Sequence, residues 1–134
     1  MRIFLDTNVL VSAVATRGLC ADVLREILIH HQFIISYSLI KELGKALRKK
    51  LGVPENLTSE LVEVLQKESV FSTSSSLPGI EIKDKDDLTI LSCALNGKTD
   101  LFITGDKELL ELKRIGNMEI VSPRAFWEKL KTLD

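Results

Sequence analysis

Cysteine is scarce in this sequence, and what there is forms no pattern. Cys20 and Cys93 stand apart in apolar, helix-like stretches, with no CxxC and no Cys/His spacing. That excludes a disulfide framework and a Cys/His zinc site, and both residues read as buried thiols of a reducing compartment. Long apolar runs are missing too: none approaches the roughly 20 residues of a membrane helix. The opening residues lack the basic lead and apolar segment of a secretory leader, so a cytoplasmic chain without membrane contact is expected. Charge of one sign is not in excess, with 18 Lys plus Arg against 19 Asp plus Glu and a net charge of −1. That balance gives no global field for nucleic acid but leaves a local basic face open. Apolar residues are 45% of the 134, enough for one core without staples, so a single domain over 1–134 is expected.

What is present is alternation. RIFL, FIIS, VFS, LFIT and MEIV are short apolar runs with little polar interruption, as in strands buried on both faces of a parallel sheet. Between them lie helical periods. Val23, Leu24, Ile27 and Leu28 share a face in CADVLREILIHH, and Ile40, Leu43, Leu47 and Leu51 share one in SLIKELGKALRKKL. LTSELVEVLQKE begins after a cap expected at Thr58 or Ser59, and SPRAFWEKL has Ser122 as cap with Pro123 at the first helical position. The pattern predicts a three-layer α/β/α sandwich with a central, mainly parallel sheet. STSSSLPG, residues 72–79, has the composition of a flexible connector.

Ligands of open parallel sheets bind beyond the carboxyl ends of the strands, where the strand order reverses. Asp6 ends the first expected strand and Asp106 follows the fourth. Glu42 borders the apolar face of its helix, and Asp87 shares a stripe with Leu91 and Ala94. An inward carboxylate costs free energy unless a cation or hydrogen-bond donors meet it. Singly, each acid has an ordinary role. Asp6 and Asp106 would cap helices, Glu42 would reach solvent, and Asp84 and Asp86 would favour a helix N-terminus by about 0.3–1 kcal/mol each. Taken jointly, Asp6, Glu42, Asp87 and Asp106 are hard to assign to capping alone, and a divalent cation is the economical partner. The adjacent His30 and His31 point about 100° apart on a helix and make a poor metal pair.

These segments, FLDTNVLVSA, SLIKEL, KDKDDLTILSCAL, LFITGDKELLEL and MEIVSPRAFWEKL, together resemble the PIN-domain nucleases, in particular the VapC-like toxin components of prokaryotic toxin–antitoxin pairs. The resemblance implies Asp6, Glu42, Asp87 and Asp106 as catalytic residues and as ligands of Mg²⁺ or Mn²⁺. It makes Asn8 and Thr104 supporting residues and matches Asp84 and Asp86 to an acidic lead-in. Lys85 departs from the pattern, standing where proline is common. RNA or single-stranded DNA is the implied substrate, and an antitoxin protein and a second copy of the chain are the implied partners.

Carboxylate oxygens without His or Cys suit a hard cation, and metal-dependent phosphodiester hydrolysis follows. Four acids also repel a polyanion, so bases must bring it in. Lys41, Lys45, Arg48, Lys49 and Lys50 form a strip on the helix of Glu42, with Arg17 in the loop after the first motif. A solvated helix face explains that strip equally well. An aspartyl-phosphate enzyme would need an acid where Asn8 stands, and DKDD is not an EF-hand loop, having Thr89 and Leu95 where Gly and Glu are required. A PIN scaffold that binds without cutting is the non-enzyme alternative.

Overall fold

Ile3, Phe4 and Leu5 are fully buried, and a strand buried on both faces belongs in the middle of a sheet. The structure, a computed structural model, describes residues 1–73 and 85–132. Its elements are β1 (Arg2–Leu5), α1 (Thr7–Ala15), α2 (Leu19–His30), β2 (Gln32–Ser36), α3 (Tyr37–Lys45), a π-helical turn (Ala46–Lys50), α4 (Glu55–Lys67) and β3 (Ser69–Ser72). There follow α5 (Lys85–Asn96), β4 (Leu101–Ile103), α6 (Lys107–Glu111), β5 (Arg114–Ile115), β6 (Met118–Val121) and α7 (Pro123–Thr132). The sheet runs β3-β2-β1-β4-β6-β5. All pairings are parallel except the hairpin of β5 on β6.

The order reverses between β1 and β4, which pair in register with Phe4 opposite Phe102. The two rings stack with centroids 5.5 Å apart, closing the centre of the core. Around the sheet, α1 packs on α2, α2 meets α7, and α5 lies over β2 and β3. This is the three-layer α/β/α arrangement expected from the alternation of elements. Among the described residues no single helix is long and apolar enough to cross a membrane.

Several local expectations change. β3 is an edge strand, and Val70 and Phe71 are exposed. α4 begins at Glu55 rather than after Thr58, because the chain turns through Gly52, at φ 64°, and Pro54 restarts it. Thr58 is buried inside the helix, and Glu55 sits where negative charge suits the helix dipole. The helix containing Glu42 does not continue regularly: the π turn, closed by the Leu51 N–H on the Ala46 carbonyl, inserts an extra residue. Leu47 stays buried at 1% exposure, whereas Leu51, expected on the same face, is 49% exposed. Cys93 is buried and burial raises its thiol pKa, but Cys20 is only half-buried. The expected connector lies outside the described residues beyond Thr73, and Ser72 belongs to β3.

Candidate active site

β1 delivers Asp6 to the carboxyl edge of the sheet, and the residue is only 7% exposed. Its carboxylate is held from two sides. The Thr7 N–H donates to Oδ1 at 2.7 Å, as at a helix N-cap, and the Thr104 hydroxyl donates to Oδ2 at 2.7 Å. Such donors are what a buried carboxylate requires. Thr104 directly follows the neighbouring strand and is fully buried, and its Oγ1 also accepts the Asp106 N–H at 3.0 Å. One hydroxyl therefore ties the turn after β4 to the acid after β1. Asp106 caps α6, its Oδ1 accepting from the Glu108 N–H at 2.8 Å.

Thr7 makes a second link. Its hydroxyl donates to Glu42 Oε2, 35 positions along the sequence, at 2.6 Å, so one residue joins Asp6 and Glu42. The Thr7 N–H is available to Asp6 because Thr7 is the first residue of α1, where the backbone N–H has no helical partner. The sequence signal for this role of Thr7 is its place directly after a capping acid.

A cleft of about 500 Å³ opens over these groups. Asp6, Glu42, Asp87 and Asp106 all line it, brought in by β1, α3, α5 and the turn after β4, and Asn8 lines it from α1. Val11 and Ile90 supply apolar wall. Thr104 lies buried behind Asp6 rather than in the lining. Asp84 falls outside the described residues, as does the side chain of Asp86. The four acids are gathered as a lining. Among the described residues no three Asp, Glu, His or Cys side chains are grouped closely enough to hold an ion as they stand.

The basic strip divides. Lys45, Lys49 and Lys50 line the acid cleft, and Lys41 lines an adjoining groove with Ser38, Glu42, Lys45 and Thr89. None of these lysines is in an ion pair among the described residues. Arg48 is turned away: its guanidinium takes both carboxylate oxygens of Glu55, with Nη2 to Oε1 at 3.0 Å, and holds that carboxyl below its usual pKa. Arg17 is exposed between α1 and α2 and does not line the cleft. The π turn explains the division. On a regular α-helix Lys50 would lie about 140° around from Lys45, but the wider turn brings it to the same cleft.

Fold and site together define a doubly wound α/β protein with an acid-lined cleft at its switch point. A PIN domain family model matches residues 2–108, and the chain belongs to that family. Its fold is similar to the crystal structure of VapBC2 from Rickettsia felis bound to a DNA fragment from their promoter, with a TM-score of 0.65 and 19% identity over 91% of this chain and 98% of that one. It is similar also to VapBC-1 from nontypeable Haemophilus influenzae, with a TM-score of 0.64 and 19% identity over 92% and 99% of the two chains. No curated protein matches the sequence.

Proposed function

We propose that the chain is a divalent-metal-dependent endoribonuclease, the toxin of a toxin–antitoxin pair. The observation that carries this reading is the lining of one cleft by four carboxylates from separate elements together with three lysines outside any ion pair among the described residues. The donor set is all oxygen, without His or Cys in the lining, which fits Mg²⁺ or Mn²⁺ and disfavours zinc. Asp6, Glu42, Asp87 and Asp106 would hold the ion. When bound, it would lower the pKa of a water and neutralise charge on the phosphodiester.

The remaining work falls to the chain's own groups. Thr104 fixes the rotamer of Asp6 and the start of α6, and Thr7 couples Asp6 to Glu42. Lys45, Lys49 and Lys50 offset the repulsion between four acids and a polyanion. Asn8 is placed to hydrogen-bond water or substrate at the cleft wall. The fold shared with VapBC2 and VapBC-1 supports an antitoxin partner; a homodimer and a cytoplasmic setting are part of the same reading by resemblance to VapC-like toxins. A second reading is a scaffold that binds nucleic acid or protein without cutting.

Mixed single-stranded RNA and DNA, incubated with the purified chain, separate these readings. Internal cleavage of RNA with Mn²⁺ or Mg²⁺, stopped by EDTA, is expected. Thr104→Val keeps every carboxylate but removes the donor to Asp6, and should lower metal affinity or activity about 10- to 100-fold, with Thr104→Ser restoring it. Cleavage that ignores EDTA would overturn the proposal, and metal binding without cleavage of either strand would select the scaffold.

A further inference from the structure

Tyr37 is the most exposed large hydrophobic side chain among the described residues, at 77%, and it is not isolated. Its ring stands 6.1 Å from that of Phe71, tilted by 47°, and Phe71 is itself 44% exposed. Two aromatic rings in contact with each other and with solvent give up burial that a core would supply. Their position is the informative part. Tyr37 follows Ser36, the last residue of β2, and Ser36 pairs with Ser72 of β3. The pair therefore sits at the carboxyl edge of the sheet, the edge that carries Asp6 and Asp106.

From Tyr37 a track leads back to the acids. Tyr37, Lys41 and Lys45 follow one another at four-residue spacing on α3, which stacks them along one side of the helix. Eight residues of helix span about 12 Å, a reach of a few nucleotides. A groove of about 250 Å³ begins one residue on from Tyr37, lined by Ser38, Lys41, Glu42, Lys45 and Thr89. It shares Glu42 and Lys45 with the acid cleft, so the two depressions adjoin. Among the described residues Glu42 is the one acid in the groove's lining, and Lys41 and Lys45 have no ion pair.

We propose that Tyr37 and Phe71 form a base-stacking platform for single-stranded nucleic acid, whose backbone is held in the adjoining groove by Lys41 and Lys45 on its way into the acid cleft. A cationic groove that follows the backbone, joined to exposed rings that accept any base, is how single strands are bound without sequence preference. This rests on the reading of the cleft as a nuclease site and adds what that reading lacks, a place for bases away from the scissile bond. It also explains why the substrate should be single-stranded, since paired bases cannot reach a ring.

The test uses the full chain, a fluorescein-labelled 12-nucleotide single-stranded RNA, its DNA counterpart, the matching duplex, and an abasic strand of the same length, all in EDTA with anisotropy as readout. Wild type should bind the two base-bearing single strands better than the duplex or the abasic strand. Tyr37→Ala and Phe71→Ala should weaken binding of the base-bearing strands about five- to a hundredfold, while Tyr37→Phe binds as wild type. On the abasic strand Tyr37→Ala should change nothing. Lys41→Ala should lower the salt slope by about 0.7. Equal affinity of wild type and Tyr37→Ala for RNA, equal losses on both strand types, or failure of wild type to bind in EDTA would each overturn the platform. So would a Tyr37→Ala effect that appears as lost self-association in sedimentation instead. Cleavage of the same RNA in Mn²⁺ is scored in parallel. Cleavage without a Tyr37 effect removes the platform and leaves the nuclease. A Tyr37 effect on binding without cleavage does the reverse.

Discussion

Asp6→Asn is expected to reduce metal-dependent cleavage roughly a thousandfold while leaving the fold in place. Metal-based charge stabilisation is worth several kcal/mol, and each 1.4 kcal/mol or so is tenfold in rate. The substitution separates the two roles that the sequence assigned to this residue. Asparagine caps a helix about as well as aspartate, so the bond from the Thr7 N–H survives, while the Thr104 hydroxyl loses its acceptor at Oδ2 and stability should fall by about 1–3 kcal/mol. What is lost is the negative charge at the cleft floor, beside Glu42 and in front of Thr104. Asp106→Asn should behave alike, because Asp106 also caps a helix. The check is single-turnover cleavage in Mn²⁺ beside thermal unfolding. A variant that cuts as fast as wild type would reduce Asp6 to its capping role.

Phe102→Ala should be the most damaging change to the fold, at about 3–5 kcal/mol. The ring is fully buried on β4 and stacks on Phe4 of β1, its partner in register. Stacked aromatic pairs add about 0.5–1.5 kcal/mol beyond area burial, and removal leaves a void in a packed interior. Domains of this kind are stable by only about 5–15 kcal/mol, so much of the total would go. β1 and β4 carry Asp6 and Thr104 at their ends, and the same void lies beneath the site. Urea unfolding should show a lower midpoint with an unchanged slope. A loss under about 1 kcal/mol would mean that this pair does not close the core.

What could be read from the sequence follows from burial. β1, β2, β3, β4 and β6 all stand out as apolar runs, but burial on both faces holds only inside the sheet, and SVFS of β3 serves an edge and is half open to solvent. β5 escaped notice at two residues, although Gly116 and Asn117 between it and β6 are a hairpin signal. The four acids were visible because strand ends and inward helix faces leave a pattern in one dimension. The π turn left none. Ile40, Leu43, Leu47 and Leu51 keep helical spacing on paper, and only the extra residue turns Leu51 outward and Lys50 into the cleft. The pairing of Arg48 with Glu55 was equally hidden, since it depends on the chain folding back through Gly52 and Pro54. Thr7 and Thr104 show the same limit: a threonine's neighbours, not its spacing, decide whether its hydroxyl orients an acid.

The most direct measurement is a Mn²⁺ titration followed by electron paramagnetic resonance, on wild type and on Asp6→Asn. Wild type should remove free Mn²⁺ from solution at a saturable site, Mg²⁺ should compete for it, and Asp6→Asn should lose it while remaining folded. A wild-type chain that leaves the free Mn²⁺ signal untouched, or a variant that binds Mn²⁺ as wild type does, would contradict a metal centre built on these carboxylates.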